Sequence, residues 1–309
     1  MADPTKTIKL NNGLSCPLMG LGTTRMKDVT NVVYTAIKDG TRLIDTASRY
    51  RNESEVGDGI KKAIDEGLVK REDLFVITKL WIDEKSDPET AIKNSLQKLK
   101  LTYVDLYLDH WPSCKSFISE EDAKNYKLVS IYELWPKMEK LVELGLTKSI
   151  GVSNYNVQSL NNVLSFCKIK PAFNEVEFHP YLFQKELKFF CDKENIILLS
   201  YNPLVLGGYC KERHSKIMEE KKMDLLKEDA VVNLAKKYNK TPGQIVLNWH
   251  IQLGIVPIPG TSNPSRMKEN LKAMEFKLDE NDMNLLNGFE NKQFRFCDSN
   301  GLFGIDIFK

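Results

Sequence analysis

Residues 41–109 read TRLIDTASRYRNESEVGDGIKKAIDEGLVKREDLFVITKLWIDEKSDPETAIKNSLQKLKLTYVDLYLD. Three short apolar or β-branched runs, 41–45 (TRLID), 74–79 (LFVITK) and 103–109 (YVDLYLD), are separated by amphipathic stretches near 53–66 and 87–99. The runs are apolar without strict alternation, as in strands covered on both faces. Asp87-Pro88 ahead of Glu89 is a helix start signal, and Gly67 stands where a helix should stop. Strand, helix, strand, helix, strand is the signature of a parallel α/β sheet.

The pattern continues in both directions. Upstream, IKLNNGLSC with Asn12-Gly13 as its turn predicts a small hairpin, followed by a strand at 17–22 and a helix at 28–39 that ends at Gly40. Downstream, strands are expected at 147–152, 172–177, 196–201 and 255–259. Helices are expected at 130–145, 156–167, 183–194, 228–253 (broken at Thr241-Pro242) and 264–274 (opened by Asn263-Pro264). Eight strand–helix units in about 250 residues predict a closed (β/α)8 barrel forming one domain over 1–309. Residues 112–129, 202–227 and the tail after 288 fall outside the repeat. Each follows a strand end or the last helix, so all three are expected to fold over the carboxyl-terminal face of the barrel.

Hydrophobic residues make up 42% and charged residues 28%, a globular composition, and the formal net charge of +2 sets up no field for a nucleic-acid backbone. The first ten residues hold no signal peptide, the last three no peroxisomal address, and no run is apolar enough to span a membrane. The six cysteines (Cys16, Cys114, Cys167, Cys191, Cys210, Cys297) lie far apart without a CxxC pair, the pattern of reduced thiols in a cytoplasmic protein. No HxH, HExxH or Cys/His cluster points to a metal.

Four polar residues gather at the ends of three consecutive strands. Asp45 closes one, Tyr50 follows in the loop, Lys79 closes the next, and His110 follows the third. In a barrel these ends share one mouth, where function sits. A free phenol, with a pKa of about 10, is a poor proton donor at neutral pH, and a nearby ammonium lowers that value. Lys79 can supply the ammonium, Asp45 can hold it, and His110 can orient a substrate oxygen. Such a set suits protonation of a carbonyl oxygen as hydride reaches its carbon. Asp45 with Lys79 alone would read as a structural ion pair; Tyr50 and His110 in register favour chemistry. Trp81 and Trp111 directly follow strand ends and are read as walls of an apolar substrate pocket rather than as core. His179, His214 and His250 are read as structural, surface or packing residues. The charge run at 211–224 is read as a solvated loop and helix face.

GTRLIDTASRYRNESEVG (40–57), ITKLW (77–81), LDHWP (108–112), GVSN (151–154), NEVEFHPY (174–181), SYNPL (200–204) and IPGTSNPSRMKEN (258–270) stand in the order and spacing of the aldo-keto reductases. The chain resembles that family from about Leu10 onward. The resemblance implies NADPH-dependent reduction of aldehydes, aldoses or ketones on a (β/α)8 barrel, by a monomer. Asp45, Tyr50, Lys79 and His110 would be the catalytic tetrad, with Tyr50 the general acid. Ser153, Asn154 and Glu175 would meet the nicotinamide carboxamide, and Tyr201 would stack on its ring. Arg266, Glu269 and Asn270 would reach the adenosine end. Thr23, Asn202, Leu204, Thr261 and Ser262 complete the cofactor contacts so implied. Substrate would meet Trp81, His110, Trp111 and Cys297. The FRFC stretch is similar to the aldose reductase tail. The GIDIFK ending and the 112–129 insertion look more like sugar reductases of the xylose reductase kind.

Three departures bear on function. The family's Trp after the first strand is Thr24, which opens the pocket. Its Gln beside the nicotinamide amide is Glu175, whose charge would favour the oxidised ring over the reduced one. Its phosphate-pairing Lys is Gly260, leaving Arg266 to bind a 2′-phosphate, so NADPH is expected to be preferred and NADH usable. Double-bond reduction accompanies a Glu in place of the tetrad His, and His110 is intact. A cofactor-binding regulatory or structural barrel with little turnover is the competing expectation.

Overall fold

The computed structural model describes residues 6–113, 128–205, 208–297, 299–304 and 306–308. An antiparallel hairpin, β1 (Thr7–Lys9) and β2 (Ser15–Pro17), precedes eight parallel strands. These are β3 (Leu21–Gly22), β4 (Leu43–Asp45), β5 (Phe75–Leu80), β6 (Leu106–Asp109), β7 (Ile150–Ser153), β8 (Phe173–Glu177), β9 (Ile197–Tyr201) and β10 (Val256–Pro257). From β4 onward each pairs with the strand before it. The seam closes where the Gly20 N–H donates to the Pro257 oxygen (3.0 Å) and the Gly22 N–H to the Pro259 oxygen (3.4 Å). The result is the expected (β/α)8 barrel.

Around it lie α1 (Val29–Lys38), α2 (Glu53–Asp65), α3 (Pro88–Leu99), α4 (Ile131–Glu143), α5 (Val157–Leu164), α6 (Lys185–Glu194), α7 (Gly208–Glu220), α8 (Asp229–Tyr238), α9 (Pro242–Gln252), α10 (Pro264–Leu271), α11 (Glu280–Asn287) and α12 (Asn300–Phe303). Helices α8 and α9 are the pair separated at Thr241-Pro242, where Thr241 and Gln244 form a reciprocal capping box. Asp87 and Asn263 cap α3 and α10 through their side chains.

Pro17, placed by its sequence in the first barrel strand, instead ends the hairpin opposite Thr7. The barrel strands β3 and β10 are short. Pro257 and Pro259 lack the N–H a longer ladder needs, so the seam is held from one side only. Helix α7 covers most of the charge run, which was read as a solvated loop and helix face. Helices α11 and α12 have too few apolar positions to announce themselves. The 112–129 insertion lies largely outside the described residues, as does Cys114.

One alternation places the site. Leu43, Phe75, Ile77, Leu106, Leu108, Phe173 and Leu199 fill the barrel interior together with hairpin residues Leu10 and Cys16. Ile44, Val76, Leu80, Tyr107, Ile150, Val152, Val176 and Leu198 join the other core, with the helices. Leu10 and Cys16 share a cluster with Leu43, Phe75 and Phe173, and Asn11 and Asn12 donate to the Pro171 and Lys148 carbonyls ahead of β8 and β7, so the hairpin plugs the amino-terminal end. Two residues beyond the last interior apolar side chain of five strands comes a polar one: Asp45 after Leu43, Lys79 after Ile77, His110 after Leu108, Glu175 after Phe173, Tyr201 after Leu199. The strand period of two therefore aims them all into the carboxyl-terminal mouth. Among the described residues no helix is long and apolar enough to cross a membrane.

Gly22 sits at the seam, opposite Asp45, with the Ile258 carbonyl oxygen 2.9 Å from where a Cβ would lie. Gly22→Ala should therefore destabilise the fold by ~1–3 kcal/mol through overpacking against backbone. A denaturant midpoint equal to that of the parent would show that the seam is not so tight.

Candidate active site

Lys79 is fully buried, and its ammonium is the centre of the mouth. Nζ donates to Asp45 Oδ1 (2.5 Å), to the Thr46 carbonyl (3.1 Å) and to the Tyr50 hydroxyl oxygen (3.2 Å). Glu175 Oε1 lies 3.3 Å away. Burial alone would lower the Lys79 pKa, but Asp45 and Glu175 outweigh it and hold the group well above its ordinary value. The lysine is thus a permanent cation. Because Lys79 donates to the phenol oxygen, the Tyr50 proton remains free to be given elsewhere.

Sequence alone suggests an acidified phenol; the structure shows the opposite direction. Burial raises the Tyr50 pKa, Lys79 pulls it down, and Asp45 and Glu175 push it up again. The two carboxyls spend much of the ammonium's field before it reaches the phenol. Tyr50 is consequently a fully protonated acid at neutral pH.

His110 stands edge-on to Tyr50, with ring centroids 5.8 Å apart. Burial, with Lys79, Lys85 and Arg49 nearby, holds its pKa well below the usual histidine value. The imidazole is neutral, with one ring N–H to give. Trp81 packs edge-on against His110 at 5.0 Å, and Trp81 and Trp111 cluster with Phe303, Ile307, Phe308 and Cys297. The tail after 288 therefore packs against the carboxyl-terminal mouth of the barrel. Thr24 is exposed and supplies no wall.

On the far side of the mouth, Asn154 adopts φ 64° directly after β7. Its amide donates to the His110 carbonyl (3.0 Å) and to Ser153 Oγ (3.0 Å), and its oxygen accepts from the Tyr201 hydroxyl (2.7 Å). Ser153 in turn donates to the Glu175 carbonyl (2.8 Å). Thr23 is tied to the Asp45 carbonyl through both its N–H and its hydroxyl. Beyond β9 come Asn202 and Leu204, and beyond β10 comes the stretch 260–270. There Ser262 and Arg266 are exposed, Thr261 is half-buried, Asn270 is buried, and Glu269 accepts from Thr241 (2.6 Å). An exposed helix start beside a free-standing arginine suits a phosphate group, and the buried, unpartnered Glu175 Oε2 and His110 Nδ1 suit a polar ring at the mouth. The residues present thus fit a dinucleotide.

Two contributors escape a reading by motif. Glu177, buried on β8, accepts from Asn202 Nδ2 (3.0 Å), from the backbone N–H groups of Phe296 (3.1 Å) and Cys297 (2.8 Å), and pairs with His179. It locks the tail and the post-β9 loop to the barrel, and gives His179 its structural role. Arg49 lies 5.1 Å over the Trp81 ring. The period of two would have revealed Glu177, two residues beyond Glu175; nothing local announces Arg49.

The family model described as Aldo/keto reductase family matches residues 14–291. The chain belongs to that family. This aldo/keto reductase is 41% identical to aldose reductase B of Dictyostelium discoideum over 96% of each chain. It is 38% identical to an NAD(P)H-dependent D-xylose reductase of Pyricularia oryzae, over 99% of this chain and 98% of that one. It is 39% identical to a glycerol 2-dehydrogenase (NADP(+)) of Saccharomyces cerevisiae, over 94% and 93%. A solved structure of a Bombyx mori aldo-keto reductase in complex with NADP superposes with a TM-score of 0.86 at 33% identity, covering 96% of both chains.

Lys79→Met would strand two buried carboxyls. Their folded-state pKa values would rise further above the unfolded ones, so the penalty is absent at low pH and grows as pH climbs past the ordinary carboxylate range. The expected loss near neutrality is ~3–5 kcal/mol. Denaturant melts at acid and neutral pH check this, and a pH-independent difference would contradict it.

Proposed function

We propose that the protein reduces the carbonyl group of small aldehydes and aldoses to the alcohol, with Tyr50 as general acid and NADPH as hydride source. The single observation that carries this is the Tyr50 hydroxyl, 3.2 Å from a buried ammonium and beside a neutral His110. A bound nicotinamide supplies hydride; everything else falls to the chain. His110 donates to the carbonyl oxygen and aims it at Tyr50. As negative charge grows on that oxygen, Tyr50 gives up its proton, and Lys79 stabilises the phenolate left behind. A raised phenol pKa is no obstacle, because an alkoxide is a far stronger base than a phenolate. Trp81, Trp111, Cys297 and the tail exclude water around the reacting carbon.

For the cofactor, Ser153, Asn154, Glu175 and Tyr201 hold the nicotinamide end. Thr23, Asn202 and Leu204 line the middle. Thr261, Ser262, Arg266, Glu269 and Asn270 hold the adenosine end. Arg266 is the cation for a 2′-phosphate, with Gly260 offering no second one, so NADPH is preferred and NADH accepted. The similar proteins named as aldose and D-xylose reductases support aldoses as substrates. The intact tetrad weighs against a barrel that binds cofactor without turnover. We take the protein to act as a cytoplasmic monomer.

NADPH absorbance should fall in the presence of an aromatic aldehyde or an aldose. Tyr50→Phe should cut kcat by ~10²–10⁴-fold while leaving NADPH binding, read by fluorescence, nearly unchanged. A Tyr50→Phe enzyme with full activity would remove Tyr50 from its role. Arg266→Ala should lower kcat/KM with NADPH by roughly 10- to 100-fold, the value of a charge-assisted contact, and leave NADH turnover unchanged. Equal losses with both cofactors would show that Arg266 does not select.

A further inference from the structure

Glu175 presents a problem of hydrogen-bond accounting. An ammonium has three protons to give. Those of Lys79 are matched by Asp45, the Thr46 carbonyl and Tyr50, yet Glu175 Oε1 also lies 3.3 Å from Nζ. Asp45 and Glu175 thus crowd one buried ammonium, at 2.5 and 3.3 Å from the same Nζ. Two carboxylates against one buried ammonium leave an excess negative charge that a proton held between them removes. Both residues are 2% exposed, so water cannot separate them. With one shared proton, Asp45, Glu175 and Lys79 sum to zero charge; without it they sum to −1.

We propose that Asp45 and Glu175 share one proton in the free protein, and that this proton leaves when oxidised cofactor binds and stays when reduced cofactor binds. This rests on the nicotinamide-dependent reduction proposed above. If Tyr50 protonates the oxygen of the carbonyl whose carbon takes the hydride, the nicotinamide ring must lie beside Tyr50. It is then within one lysine of Glu175. The oxidised ring carries a positive charge and the reduced ring none. A cation at that place favours the −1 form of the cluster, while a neutral ring adds only burial and favours the protonated one.

The groups facing Glu175 agree. Asp45 from β4 and Lys79 from β5 face it directly, Tyr50 approaches from the turn after β4, and neutral His110 stands across the mouth. Burial first, and then Asp45, push the Glu175 carboxyl up to about 8 against the pull of Lys79. The expectation from sequence, a fixed carboxylate favouring the oxidised ring, is thereby changed. The preference becomes conditional on pH and rises as the proton becomes easier to lose. A glutamine at this position could not do this.

Calorimetric titration of the whole protein near pH 7 with NADP⁺ and with NADPH, in buffers of different ionisation heat, counts the protons. Wild type should release up to about one proton with NADP⁺ and none with NADPH. Its affinity for NADP⁺ relative to NADPH should climb between about pH 6 and 8, by up to ~tenfold per unit. The 2′-phosphate is common to both cofactors and cancels from the ratio. Glu175→Gln should bind both cofactors, release no proton and show a flat ratio. Infrared difference spectra of wild type, which need no variant, should lose a carboxylic-acid C=O band on adding NADP⁺ and keep it with NADPH. Equal proton counts for the two cofactors, a release that survives Glu175→Gln, or an acid band unmoved by NADP⁺ would each overturn the proposal. If neither cofactor binds wild type, the reading of function itself fails, which is a distinct result.

Discussion

A lysine ammonium with no water around it is the constraint on which the rest of the mouth depends. The cost of burying Lys79 is of the order of several kcal/mol unless charge and hydrogen bonds compensate. Asp45 at 2.5 Å and Glu175 at 3.3 Å supply the charge, and the Thr46 carbonyl supplies a further acceptor. The Tyr50 hydroxyl completes the shell, so the group that gives the proton is positioned by the same contacts that make the cation tolerable. Removing Lys79 leaves uncompensated carboxyls in the barrel, and stability and chemistry are lost together.

Strand geometry makes the cluster possible. Asp45 pairs in register with Ile77, and Lys79 with Leu108, on adjacent strands of a closed sheet. Lys79 lies two residues beyond the register partner of Asp45, on the same face of the adjacent strand, and its long side chain reaches back to the Asp45 carboxylate. Leu43, Ile77, Leu108 and Phe173 fill the layer below and fix how deep the polar layer can sink. The Asn154–Tyr201 bridge and the Glu177 node do similar work on the opposite side. There they join strand ends and the tail so that the mouth keeps its shape around a ligand.

Much of this was legible in the sequence. All eight barrel strands, the split at Thr241-Pro242 and the convergence of Asp45, Tyr50, Lys79 and His110 follow from apolar runs, helix punctuation and the placing of polar residues at strand ends. What was not legible depends on distance across the barrel. Glu175 looked like a carboxylate facing a ligand because its sequence neighbours do not include Asp45 or Lys79, which are remote in the chain. The direction of the Tyr50 shift was missed for the same reason: one ammonium was weighed against the phenol, without the two carboxyls that share it. Pro17 was misassigned because a proline reads equally well at the end of one strand or the start of the next.

The central claim is that the ammonium's influence on Tyr50 is set by the net charge of the cluster around it. Carbon-13 NMR of tyrosine labelled at Cζ reads this directly, by following the Tyr50 resonance through alkaline pH in the free protein and with NADP⁺ bound. The free protein should keep Tyr50 protonated beyond the ordinary phenol value of about 10, and NADP⁺ should bring its titration to lower pH. A Tyr50 that titrates at the ordinary value in both states would contradict the account.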